Sequence, residues 1–211
     1  FWFGDFCQSR VGRQCRRYVA GCRKMNGSGL ILAALAIPAL GAVLIARSHR
    51  HPNIREGVTL LTSGLLFACV VSLLPLVLAG EQPQAHLIEP LPGLPVAFLV
   101  EPLGMLFALV ASTLWMVNSV YSIGYMRGNK EAHQTRFYVC FALALSAVIG
   151  IAFAANLITL FLFYEVLTLV TYPLVTHHGT EAAKRGGRVY LALLLSTSVL
   201  FLLPAVIFTW Y

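Results

Sequence analysis

Glu165 is an ionisable side chain inside a long apolar run, 157–176. The other seven acids (Asp5, Glu56, Glu81, Glu89, Glu101, Glu131 and Glu181) read as lying outside such runs. Holding a charged group at bilayer depth costs at least about 2.5 to 3.5 kcal/mol, so acids there are rare and face a bundle interior or a wet cavity. Desolvation favours the protonated form of a carboxylate, so one at that depth can take up and release a proton. Proton handling is the chemistry this residue points to. The alternative is that Glu165 only bonds to a neighbouring helix as interhelical glue.

Helical spacing gives Glu165 company. Thr168, Tyr172 and Thr176 follow at i+3, i+7 and i+11, a polar stripe within about sixty degrees of its face. Pro173 cannot donate to Leu169, which predicts a kink and a freed carbonyl able to bind water. His177 and His178 close the run about 18 Å along the axis from Glu165, too far for contact. Histidine titrates near neutrality, so this pair suits proton delivery at the mouth of a path. Capping of the helix C-terminus explains them equally well. Lys184, Arg185 and Arg188 precede the next helix, and such charges set topology or approach the end of a proton route, with Lys184 the candidate. Ser196, Thr197, Ser198 and Pro204 offer hydroxyls and a second bend, with helix packing as the commoner role. Tyr121, Tyr125, Trp210 and Tyr211 read as interfacial aromatics.

The elements that must position these groups follow from composition. The 211 residues are 58% hydrophobic and 11% charged, with mean hydropathy +0.78. Soluble domains average about 25% charged residues, so this is an all-α integral membrane protein. Six segments are long and apolar enough to cross a bilayer: 29–46, 58–78, 105–126, 137–154, 157–177 and 189–210. Residues 25–211 form one six-helix bundle, and residues 1–24 are a separate basic tail. The tail holds six of fifteen Lys/Arg and one of eight acids, so most of the +7 net charge sits there. It reads either as an interfacial amphipathic helix or as a segment foreign to this subunit, with Met25 as the natural start. The second reading is favoured, because charge places the tail on the wrong side. No nucleic-acid footprint is read from it.

Nine Lys/Arg fall in odd-numbered loops: Arg47, Arg50, Arg55, Arg127, Lys130, Arg136, Lys184, Arg185 and Arg188. The second and fourth loops hold none. Odd loops therefore face the cytoplasm, the first helix starts outside, and a bacterial inner membrane is expected. The second loop carries Pro83, Pro90, Pro92, Pro95 and Pro102 around an extended 94–100, which fits an ordered external hairpin and a featureless linker about equally. Cys7, Cys15, Cys22, Cys69 and Cys140 show no zinc or redox spacing. There is no phosphate loop and no nucleophile elbow, and no histidine lies mid-helix. No metal and no cofactor is expected, and redox chemistry within the chain is not.

Residues 101–112 (EPLGMLFALVAS), 121–126 (YSIGYM) and 136–197 (RFYVCFALALSAVIGIAFAANLITLFLFYEVLTLVTYPLVTHHGTEAAKRGGRVYLALLLST) carry a resemblance. This pattern resembles the antiporter-like proton-translocating subunits of respiratory complex I and the Mrp-type cation/proton antiporters, nearest their D-type subunits. It is strong over 101–210 and weak over 25–100. The resemblance implies that Glu165 is the fifth-helix glutamate, paired with a lysine on a seventh helix and gating lateral proton transfer. It also implies other membrane subunits as partners, protons as substrate and sodium as a candidate counter-ion. Any catalysis would then belong to an NADH:quinone oxidoreductase-like whole. Nothing at depth in the six helices supplies that lysine, so the chain is expected to be an N-terminal part or a split subunit. A structural or assembly subunit without transport of its own is the alternative function.

Overall fold

A computed structural model describes residues 27–91, 94–177 and 179–210. The basic tail 1–24, His178 and Tyr211 lie outside the described residues, as does the side chain of Trp210. Six helices carry the fold: α1 (Gly27–Arg47), α2 (Pro52–Leu78), α3 (Pro102–Gly128), α4 (Gln134–Ala152), α5 (Leu157–Val175) and α6. The last is compound, with Glu181–Thr197, a π-helical turn Ser198–Leu202, and Leu203–Trp210. All six are long and apolar enough to span a bilayer, and the protein is an integral membrane protein.

The helices outrun the apolar segments at their charged ends. Pro52 opens α2 six residues before 58, since proline suits the first helical position, where no N–H bond is missed. Thr180 opens α6 well before 189, its hydroxyl accepting the Ala183 N–H at 3.2 Å. Hydropathy ends where charges begin, but backbone bonding does not. Lys184, Arg185 and Arg188 are consequently helical residues, and so are Arg55 and Glu56.

α4 is the central post. It packs on α1, α5 and, less extensively, α3, while α2 bridges α1 and α3. Its buried residues include Ala142, Ala144, Ala147 and Gly150, whose small size lets neighbouring backbones approach. A Cβ at Gly150 would overlap the Phe163 ring of α5. Bonds reinforce these seams: Ser146 Oγ donates to Leu35 O at 2.8 Å, and Cys69 Sγ to Leu30 O at 3.4 Å.

Between α2 and α3 the chain forms an antiparallel hairpin, β1 (Gln84–Leu91) and β2 (Leu94–Leu99), with Gln84 opposite Leu99 and His86 opposite Ala97. Register irregularities after His86 and Ile88 twist it. It is ordered and docked, not a linker. Phe98 is 1% exposed, meets Phe163 edge to face at 5.6 Å, and pairs with Ala154 in the α4–α5 corner. Leu99 N donates to Phe153 O at 2.8 Å and Ala155 N to Ala97 O at 3.0 Å. Asn156 caps α5 through Thr159 N (2.8 Å) and donates to Pro95 O (2.8 Å). The hairpin thus fixes where α5 begins.

α5 and α6 are thinly covered. α5 buries only Thr159 and Thr168, and the first part of α6 only Gly187.

Gly150→Leu should force α5 off α4 at an overpacking cost of about 1 to 3 kcal/mol, read as a lower unfolding temperature of the purified protein in detergent. Gly124→Ala, which meets nothing within 4 Å, should leave that temperature unchanged or slightly raised.

Candidate functional site

Glu165 sits near the middle of α5, half-buried. Its Oε1 is out of contact with solvent and accepts no hydrogen bond among the described residues. An open buried acceptor costs about 1 to 3 kcal/mol, more when charged. The polar stripe is partly self-satisfied. Thr168 Oγ1 donates to Tyr164 O and Thr176 Oγ1 to Tyr172 O, each at 3.0 Å, four residues back on the same helix. These hydroxyls support their own backbone in this conformation. Pro173 falls in the last turn, and α5 runs unbroken through it to Val175.

α6 meets α5 at Gly187, where a Cβ would strike Thr176 and the edge of Tyr172. From that crossing, antiparallel counting at equal rise puts Ser196 at the level of Glu165. The π-helical turn beginning at Ser198 touches α5 just beyond. Pro204 lacks the N–H that would bond Leu200, which accounts for the turn widening here. Ser198 is buried and donates to Leu195 O at 3.1 Å.

Lys184 is not brought to Glu165. It donates to Glu181 at 2.8 Å in an exposed i,i+3 pair, a turn before Gly187 at the start of α6. His177 is placed at the far end of α5 from Asn156, where Arg136 Nη2 donates to its carbonyl at 3.0 Å. Its ring meets Phe137 edge to face at 6.0 Å, and Nε2 lies 4.0 Å from Glu131 Oε2.

The most heavily bonded polar group in the described chain escaped the sequence reading. Arg55 and Glu56 at the start of α2 are both 5% exposed. Glu56 accepts from Arg127 Nε at 3.0 Å through Oε1 and pairs with Arg127 Nη2 at 2.5 Å through Oε2. Arg127 Nη2 also donates to Asn53 Oδ1 at 2.6 Å. Arg55 donates to Thr135 Oγ1 (3.1 Å) and Gln134 Oε1 (2.7 Å), lies 3.5 Å from Glu56, and stacks 5.2 Å from the Tyr138 ring centroid. Gln134 Nε2 continues to Met126 O at 3.0 Å. Two cations and one anion so clasp the start of α2, the end of α3 and the start of α4. The available signal was periodic: Arg55, Thr59, Thr62, Leu66, Cys69 and Leu73 are one buried stripe of α2.

Residues 93–138 match the family profile described as NADH-Ubiquinone oxidoreductase (complex I), chain 5 N-terminus. The chain is 26% identical over 180 residues to a D-type subunit of a probable K(+)/H(+) antiporter from Rhizobium meliloti, covering 82% of this chain and 32% of that protein. It is 29% identical over 144 residues to an A-type subunit of the Na(+)/H(+) antiporter from Alkalihalophilus pseudofirmus, covering 66% and 18%. It is 31% identical over 80 residues to the chloroplastic NAD(P)H-quinone oxidoreductase subunit 5 of Adiantum capillus-veneris, covering 38% and 11%. The chain is similar to antiporter-like subunits of such complexes. It spans about a third or less of these relatives' length. The fold is also similar to a chain of the membrane-bound sulfane sulfur reductase, an archaeal respiratory membrane complex. That match has TM-score 0.66 and 15% identity, and covers 77% of this chain and 33% of the other.

Glu56→Ala should leave Arg55 buried without its counter-charge and cost about 3 to 5 kcal/mol, seen as loss of folded, detergent-extractable protein. Arg127→Gln should cost less, because the Arg127 side chain is already 51% exposed.

Proposed function

We propose that this antiporter-like chain is a proton-translocating subunit of a multisubunit cation/proton antiporter or a complex I-like pump, with Glu165 as its intramembrane proton carrier. The observation that carries the reading is the buried, unpartnered Oε1 of Glu165 in the middle of an apolar helix. A charge buried there without a partner is costly, so the site suits a group that meets a proton or a cationic partner. A basic side chain from outside these six helices is that partner, reaching Glu165 over the thinly covered face of α5 and α6. Lateral transfer then alternates between a protonated, unpaired Glu165 and an ionised, paired one.

Relatives that are subunits of larger assemblies support neighbouring membrane subunits as partners here. Odd-numbered loops face the cytoplasm of an inner (plasma) membrane, which puts His177 and Lys184 at the cytoplasmic end and the hairpin outside. Tyr172, beside the Gly187 crossing, is the stripe member best placed to bridge the two levels, with Thr168 and Thr176 joining by rotating from their backbone acceptors.

Glu165→Gln keeps size and hydrogen bonding but cannot ionise. In the assembled complex it should lower proton-coupled transport at least about tenfold while subunit stoichiometry holds, measured by dye quenching in everted vesicles. Unchanged transport would sink the carrier role. Lost assembly with Gln would favour the interhelical glue role instead.

A further inference from the structure

At the end of α5 the structure brings together two groups far apart in sequence. Glu131 lies in the α3–α4 connection and His177 just past α5, with Oε2 and Nε2 4.0 Å apart and side chains 22% and 13% exposed. The connection is built at a cost. Lys130 and His133, neither of them glycine, hold left-handed φ values of 51° and 55° on either side of Glu131. Each such residue stores on the order of 1 to 3 kcal/mol and persists only where surrounding contacts over-determine it. Those contacts are present: Glu131 N donates to Met126 O at 3.1 Å, and Arg136 ties the start of α4 to the His177 carbonyl at 3.0 Å. The Phe137 ring covers the imidazole from α4. A strained turn is therefore fixed so that a carboxylate stands beside a mostly buried imidazole whose ring nitrogens are out of contact with solvent.

We propose that Glu131 and His177 form a proton-collecting pair at the end of α5, and that Glu131 sets the pH range over which the pair loads. This rests on the reading that Glu165 carries protons along the same helix. Glu131, the more exposed partner, meets water and hands the proton on to Nε2, which is out of contact with solvent. The carboxylate then balances the imidazolium, since an opposite charge within about 4 to 6 Å favours the charged form. The acids Glu56 and Glu181 at this end are engaged by Arg127, Arg55 and Lys184, and His133 caps the start of α4. The remaining basic groups oppose loading. They are Lys130 beside Glu131, Arg136 on α4 with its guanidinium engaged by the His177 carbonyl, and Lys184, Arg185 and Arg188 on α6, of which Lys184 is neutralised by Glu181. Glu131 is the acid within reach of the ring among the described residues.

The test is the pH profile of proton-coupled transport by the assembled complex, with a direct titration of the imidazole in the same complex after selective 15N-histidine labelling. Glu131→Gln should move the high-pH limb of the profile, and the His177 midpoint, down by about one pH unit. That is a roughly tenfold loss of transport above the midpoint, with the low-pH plateau kept. Glu131→Asp should restore most of the shift. His177→Gln should remove this limb, and adding Glu131→Gln to it should change nothing further. A Glu131→Gln profile superimposable on the parent, or lowered equally at all pH values, overturns the pair. Full transport by Glu165→Gln would overturn the carrier reading alone, leaving the Glu131-dependent His177 midpoint to be judged separately.

Discussion

Close approach to α4 is the constraint on which the rest of this bundle depends. Lipid tails are as apolar as leucine, so helices in a bilayer gain little by burying hydrocarbon against one another. Shape has to supply the attraction. Ala142, Ala144, Ala147 and Gly150 flatten α4, letting α1 close on it and the Phe163 ring settle over Gly150. With α5 seated there, its N-terminus meets the hairpin through Phe98, Thr159 and Asn156, and the corner at Phe153 and Ala154 becomes a small buried junction. The position of Glu165 is inherited from these contacts.

Polar groups in the fold divide by how fully they are satisfied. The Arg55–Glu56–Arg127 clasp pairs both Glu56 oxygens and spends donors on Thr135, Gln134 and Asn53, while Arg55 Nε and the Tyr138 hydroxyl stay buried without a hydrogen bond among the described residues. Buried ion pairs seldom add much net stability, yet they fix which ends belong together, because any other arrangement strands a charge. That logic suits a bundle whose apolar surfaces discriminate weakly. Arg55 and Arg127 do this from the first turn of α2 and the last turn of α3.

Much of the fold was legible because the bilayer imposes a length rule. Six apolar runs gave six helices, and short connections gave neighbours. What was not legible lay where the rule stops. Hydropathy began the second helix at 58 and the sixth at 189, whereas Pro52 and Thr180 begin them on backbone grounds. That difference hid Glu56 and Arg55 among loop charges. Continuing the α2 wheel back through Thr59 would have exposed them. Glu131 was hidden for another reason: two left-handed residues aim it, and no periodicity encodes such a turn. Glu165 was legible as an anomaly of composition, and Thr168, Tyr172 and Thr176 were legible as its stripe. That two stripe hydroxyls turn back on their own helix is a rotamer choice that sequence does not record.

Glu165 and the clasp differ in a way that bears on their work. A carboxylate meant only to hold helices together gains from being saturated, as Glu56 is, since each open lone pair in a dry site is a loss. Glu165 keeps one oxygen buried and open. It stands at the level of a helix that has widened into a π turn at Ser198, on the part of the bundle where α5 and α6 bury the fewest residues. π turns leave backbone groups less tightly bonded, and they recur at functional sites. An acid with an open oxygen beside a loosened helix is easier to re-pair than one with both oxygens bonded. The openness that makes Glu165 a poor clasp fits the proposed carrier role, while Glu56, with both oxygens paired, carries the clasp.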